Sequence, residues 1–143
     1  MAGIPGLLEL AARLKRKSHK LTGPRQAILE VLHRQPHPLA IREIFAALPK
    51  GDCDLATIYR SMHLLESLGM VKRYELGGGM ARFELLPEGD DGHHHHLVCT
   101  RCAWVVEIDG CAIEDLEQRV ARQNGFTAVS HRLEFFGLCP ECQ

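Results

Sequence analysis

No run of apolar residues in this chain approaches the roughly eighteen that a membrane span needs, so no membrane partner is expected. No charge of one sign dominates either, with 17 Lys and Arg against 18 Asp and Glu. There is no internal repeat and no low-complexity tract beyond one histidine run. The 143 residues therefore have to build one ordinary core or two small ones. No secretory leader precedes the first motif, which implies a cytoplasmic chain whose thiols stay reduced. The sequence also lacks His-Glu-x-x-His. A zinc hydrolase, which needs an open metal position with a general base beside it, is correspondingly disfavoured.

What is present is unevenly spread. Residues 1–86 hold thirteen Lys and Arg against eight Asp and Glu, whereas residues 87–143 hold four against ten and most of the Cys and His. That division suggests a polyanion-binding domain joined to a metal-binding one.

The metal chemistry centres on His93-His94-His95-His96-Leu97-Val98-Cys99-Thr100-Arg101-Cys102. A second Cys-x-x-Cys pair, Cys139 and Cys142, completes the four thiolates that a tetrahedral structural Zn²⁺ requires. Two disulfides or free core thiols are the alternatives, and a reducing compartment favours metal. If the histidine run opens a strand, His94 and His96 share one face while His93 and His95 share the other, so one short stretch could serve two metal sites. A solvated histidine patch is the bland alternative.

The basic half reads as helices followed by a hairpin. Gly6 to Lys17 places Leu7, Leu10, Ala11 and Leu14 at helical spacing, with Arg13, Lys15, Arg16 and Lys17 expected on a solvated face. Thr22 should cap a second helix with Pro24 in its first turn, burying Ile28, Leu29, Val31 and Leu32 and stopping near Pro36-His37-Pro38. A third helix is expected from about Leu39 to Leu48, burying Ile41, Ile44, Phe45 and Leu48. Asp54 should cap a fourth through Leu68, with Gly69 at its C-terminal stop and Leu55, Ile58, Met62 and Leu65 inward. Its outer face carries Thr57, Arg60, Ser61 and Leu64, with Tyr59 and His63 at the margins. Such a surface could enter a major groove, unless Tyr59 merely packs and Arg60 is solvated. Val71–Leu76 and Met80–Leu86 flank Gly77-Gly78-Gly79 as a hairpin. Helices followed by a β-hairpin make a winged helix-turn-helix.

The expected architecture is therefore α+β. A winged-helix DNA-binding domain occupies 1–86, a polar Gly-rich hinge 87–92, and a metal-binding α/β domain 93–143. In the last, Trp104–Ile108 and Ala128–Phe136 read as strands and Ala112 to about Gln123 as a helix stopped by Asn124-Gly125. Val129, His131, Leu133 and Phe135 would share a strand face, and Trp104 would be core.

Several motifs together resemble the ferric uptake regulator (Fur) family of bacterial metal-dependent repressors. They are Leu21-Thr22-Gly23-Pro24-Arg25, Ala56-Thr57-Ile58-Tyr59-Arg60, Arg82-Phe83-Glu84-Leu85, the histidine run into Cys99-x-x-Cys102, and Ser130-His131 before Cys139-x-x-Cys142. The resemblance implies that 93–143 is an α/β dimerisation domain and that the protein is a homodimer that binds a palindromic double-stranded DNA operator when metal is present. It places the structural Zn²⁺ on Cys99, Cys102, Cys139 and Cys142. A sensing site would take His37, Glu84, His94, His96 and Glu107, and an additional site His93, His95, Glu114 and His131. On the DNA side it points to Tyr59 and Arg60, with Lys20 as a minor-groove contact. Cys53 and Cys111 match no zinc position and read as ordinary small or buried residues. The stretch from Leu85 to His93 is longer than the iron-sensing members lead one to expect.

The regulatory metal is left open by the resemblance among Fe²⁺, Zn²⁺ and Mn²⁺. The all-nitrogen-and-oxygen sensing set suits Fe²⁺ or Mn²⁺. Zinc uptake regulators of the family commonly recruit a cysteine near the wing, and none lies between Val71 and His96. Peroxide-responsive members carry Asp where Glu84 stands. Outside the family, a zinc-storage or metallochaperone protein would explain the ligands but leave Tyr59 and Arg60 idle.

Overall fold

A computed structural model describes residues 5–35, 37–76 and 79–143. Pro36, Gly77 and Gly78, where a helix stop and a hairpin turn were expected, lie outside the described residues. The chain divides into two compact units, Met1–Gly92 and His93–Gln143.

In the first unit, α1 (Leu7–Arg16), α2 (Gly23–Arg34), α3 (Ile41–Ala47) and α4 (Leu55–Ser67) surround one apolar core. Leu10 and Leu14 of α1, Ile28 and Leu29 of α2, Ile44 of α3, and Ile58, Met62 and Leu65 of α4 are buried in it. These are the positions that helical spacing puts on one face of each helix. Thr22 Oγ1 accepts from the Arg25 amide at 3.4 Å, and Asp54 Oδ1 from the Thr57 amide at 2.8 Å. Both side chains satisfy amides that the first helical turn leaves without partners. Gly69 ends α4 with φ +68, a left-handed conformation that glycine adopts at little cost.

Strands β2 (Val71–Glu75) and β3 (Ala81–Leu85) pair antiparallel, with Arg73 opposite Phe83. A third strand, β1 (Leu39–Ala40), joins the other edge of β3, giving the order β1-β3-β2. The third helix thus starts two residues later than the expected Leu39, because Leu39 and Ala40 are taken up by the sheet. Glu43 accepts from the Ala40 amide at 2.7 Å, which begins the helix there. Arg82 on β3 reaches the same Glu43 oxygen at 2.8 Å and the Pro38 carbonyl at 3.3 Å, tying the wing to the start of α3.

Four side chains depart from the expected inside-outside pattern. Phe45 and Leu55 are half-exposed, whereas Ser61 is buried. Phe45 and Leu55 stand near the ends of their helices, where the apolar stripe runs past the edge of the core. Arg13 is the larger exception. Expected on a solvated face, it is 4% exposed and donates to the Leu86 carbonyl at 2.6 Å and the Gly69 carbonyl at 3.1 Å. The guanidinium thereby joins α1 to the end of α4 and to the chain leaving β3.

The end of the hinge is held against β2. Lys72 Nζ donates to the carbonyl oxygens of Asp91 and Gly92, and the Tyr74 hydroxyl also meets Gly92 O, at 3.1 Å. Gly92 itself has φ +67, and a Cβ there would collide with the Lys72 side chain.

In the second unit, β4 (His95–Cys99) is central, antiparallel to β5 (Val105–Ile108) and parallel to β6 (Glu134–Gly137). Helix α5 (Glu114–Asn124) lies in the crossover to β6, and Gly125 stops it with φ +68. The last strand is shorter than the expected Ala128–Phe136. Ala128 adopts φ +53, which breaks the extended run, so His131 precedes the strand instead of lying in it. This unit has little apolar interior of its own: Val98 and Val105 are buried beside Cys99, Cys139, His95 and His96. Trp104, expected in the core, is half-exposed, as are Leu97, Phe135 and Phe136.

Candidate metal centres and nucleic-acid interface

Cys99 ends β4, and Cys102 follows in a tight turn in which Ala103 takes φ +62. Cys139 and Cys142 flank a single 3₁₀ turn, Pro140–Cys142. Cys99 to Gly137 pairing in the parallel β4–β6 ladder brings the two Cys-x-x-Cys segments together. All four sulfurs lie within 4.8 Å of one another, and Cys102 Sγ is 3.7 Å from Cys139 Sγ. A tetrahedral ion about 2.3 Å from each sulfur requires sulfurs about 3.8 Å apart. None of the four cysteines is in a disulfide.

The protonation pattern of the four suits a cation. Backbone N–H groups of Cys102 and Cys139 hold the Cys99 thiol down to about 5, which makes it a thiolate at neutral pH. Hydrogen bonding to Cys139 pushes Cys142 up to about 12, and burial raises Cys139. Four sulfurs this close cannot all be anionic without a positive ion among them. Zn²⁺ would supply that charge.

The histidine run separates as the alternation requires. His94 Nδ1 lies 3.1 Å from Glu107 Oε1, and His96 stands opposite Glu107 in the β4–β5 register. His93 and His95 instead meet each other and His131, with ring centroids 4.6–5.2 Å apart. The other two residues of the expected sensing set belong to the first unit. There His37 is half-buried with Nδ1 3.4 Å from the Pro38 carbonyl, and Glu84 on β3 accepts from the Tyr74 hydroxyl at 2.5 Å. Tyr74 was not singled out from sequence, although its place on the pleat opposite Arg82 would have put it near Glu84.

The third group differs from the expected one. His93, His95 and His131 come together with Cys111, all four donor atoms within 4.8 Å. Glu114, the anticipated fourth ligand, opens α5 as an exposed residue outside this group. It is Glu117, one turn further along α5, that meets His131 Nδ1, at 2.5 Å. Cys111, read from the sequence as an ordinary small or buried residue, thus lies beside three imidazoles. Burial and the neighbouring His93 and His131 lower the His95 pKa, favouring its neutral, ligating form. Cys53 does fit the ordinary reading, since it packs partly buried against the first unit's core and burial raises its thiol.

On α4 the outer face presents Tyr59, 60% exposed, and Arg60, whose guanidinium donates to Thr57 Oγ1 at 3.2 Å. The Lys20 carbonyl accepts from Arg25 at 2.7 Å, fixing the backbone where its side chain leaves the surface. A cleft lined by Arg42, Tyr59, His63, Arg73 and Met80 runs between α4 and the wing. Arg42 and Arg73 add two cations to the face that sequence reasoning did not name. The alternation of β2 was the available signal for Arg73.

The model of the ferric uptake regulator family matches residues 16–136 of the chain. The ferric uptake regulation protein of Neisseria meningitidis is 36% identical over 136 residues, covering 92% of each chain. That of Bacillus subtilis is 35% identical over 133 residues, covering 91% of this chain and 89% of the relative. The Vibrio cholerae ferric uptake regulator, whose crystal structure revealed a rearrangement of its DNA-binding domains, superposes with a TM-score of 0.72 at 31% identity over 91% of this chain and 99% of that one.

Proposed function

The chain belongs to the ferric uptake regulator family of metal-responsive regulators, and from that premise we propose that it is an iron-responsive repressor that binds a palindromic operator as a homodimer. The observation that carries the iron reading is the chemistry around His94 and Glu107, which lie 3.1 Å apart with His96 in register beside them. With the His37 and Glu84 that the family resemblance adds, the sensing set would consist of nitrogen and oxygen donors without sulfur. Such a set suits Fe²⁺ or Mn²⁺ at five or six coordination. Zn²⁺ binds the same ligands more tightly in the Irving–Williams order, so selection of iron depends on free zinc being kept scarce.

A structural Zn²⁺ on Cys99, Cys102, Cys139 and Cys142 would staple a unit whose apolar interior is too small to hold it together alone. A second copy of the chain would cover the half-exposed Leu97, Trp104, Phe135 and Phe136. In the dimer, two copies of α4 would enter successive major grooves with half-sites about one helical turn apart. Arg60 and Tyr59 would contact bases or phosphates, Thr57 would support Arg60, and Lys20 would approach the minor groove.

Protein carrying its structural zinc, titrated anaerobically, should regain operator binding at micromolar Fe²⁺ and lose it in Glu84→Ala. Activation by buffered Zn²⁺ at far lower free concentration, with Fe²⁺ inert, would make it a zinc uptake regulator instead. Metal transfer with no operator binding at all would favour a metallochaperone.

A further inference from the structure

We propose that Cys111 joins His93, His95 and His131 in a second closed site for Zn²⁺, three imidazole nitrogens and one thiolate, in place of the carboxylate-containing set that the family resemblance implies. The four donors come from three stretches: His93 and His95 at the start of β4, Cys111 in the loop from β5 to α5, and His131 between α5 and β6. Four donor atoms within 4.8 Å, supplied by segments this far apart in sequence, are not a consequence of local chain geometry. His131 Nε2 lies 3.3 Å from Cys111 Sγ and 3.4 Å from His95 Nε2, spacings that a tetrahedral ion would bridge.

Two further features aim the donors inward. Glu117 Oε2 sits on His131 Nδ1 at 2.5 Å, which keeps the proton there and leaves the Nε2 lone pair facing the cluster. A carboxylate behind a histidine fixes the tautomer and raises the basicity of a metal ligand. Gly110, at φ +79, turns the loop after β5 so that Cys111 comes back over the strand. Glu114 is exposed and takes no part.

Exchanging a carboxylate for a thiolate changes which ion the site prefers. Sulfur with imidazole at four-coordination selects Zn²⁺, or Co²⁺ as its probe, over Fe²⁺ and Mn²⁺. The ion would tie β4, the β5–α5 loop and the segment before β6 together where few apolar side chains do so. The assignment is independent of which metal is sensed, although its test uses a protein whose four-cysteine centre is already filled.

The full-length dimer, with one zinc per chain on the four cysteines established by metal analysis, is titrated with Co²⁺. One equivalent should bind with the intense visible bands of tetrahedral cobalt and a near-ultraviolet thiolate-to-cobalt band, beside any that fills the nitrogen-and-oxygen sensing set without such a band. Cys111→Ser should abolish the thiolate band, whereas Cys53→Ser and Glu114→Ala should leave it intact. Glu117→Ala should weaken the binding by about 10–100-fold. A thiolate band that persists in Cys111→Ser, or saturation of the parent with cobalt that never produces one, overturns the proposal. If the four-cysteine centre had not held its zinc, the persistent band in Cys111→Ser would carry four-thiolate intensity, which separates that failure from this one.

Discussion

Replacing Arg13 with methionine removes a buried cation while keeping most of its apolar stem. Two hydrogen bonds go with it, to the Leu86 carbonyl at 2.6 Å and the Gly69 carbonyl at 3.1 Å. Hydrogen bonds from charged groups contribute about 1.5–3 kcal/mol each, and a buried carbonyl left without a donor costs about 1–3 kcal/mol. Against this stands the relief of desolvating a guanidinium whose Nε is buried with no hydrogen-bond partner among the described residues. The balance predicts a loss of about 2–4 kcal/mol from the first unit, with Arg13→Lys falling in between because one ammonium cannot span both carbonyls. Urea unfolding is the assay, and the probe has to be chosen with care. The single tryptophan, Trp104, reports on the second unit, so the signal should come from helical circular dichroism or from Tyr59 and Tyr74. An Arg13→Met midpoint within about 0.5 kcal/mol of the parent would mean that those bonds only repay the desolvation, and that α1 is anchored by Leu10 and Leu14 alone.

Other outcomes follow from the same geometry. Cys139→Ser should lose the structural zinc and the folded dimer together, as read by metal analysis and size-exclusion chromatography; a zinc-loaded dimer would remove the four-cysteine assignment. Arg60→Ala should weaken operator binding by about 1–3 kcal/mol in a gel shift at fixed salt. Met62→Ala, fully enclosed by the first unit's core, should cost about 2–5 kcal/mol in urea unfolding. Asp54 gives a pH signature. Its hydrogen bonds from Thr57 hold the carboxyl below its ordinary value of 3.8, so its stabilising effect is present above that value and lost as the pH falls through the lower, folded-state one. The stability gap between parent and Asp54→Ala should therefore be full at neutral pH and close only in acid below 3.8.

The helices were legible because their signals are local. Period, the caps Thr22 and Asp54, and the stops Gly69 and Gly125 all act within a turn or two. The two faces of the histidine run and the paired Cys-x-x-Cys motifs were legible for the same reason, since strand alternation and ligand spacing are short-range. What escaped notice depends on distant partners. Leu39 and Ala40 become a strand only because β3 offers an edge, Arg13 is drawn inside by two carbonyls more than fifty residues away, and Cys111 joins its histidines through a loop whose path no spacing rule fixes. Trp104 is a different case. Its hydrophobicity was read correctly, but in a unit this small a large side chain meets the edge of the core before it is covered.

The parallel pairing of β4 with β6 also sets an order of events during synthesis. The first unit ends at Gly92, whereas β4 waits for residues 134–137 before its second neighbour exists. At roughly 5–20 residues per second that interval lasts a few seconds. Throughout it the nascent chain displays four histidines with Cys99 and Cys102 but neither Cys139 nor Cys142. Any ion that binds then meets half of a site. The four-cysteine centre can therefore be completed only once β6 has docked and brought Cys139 and Cys142 beside Cys99 and Cys102.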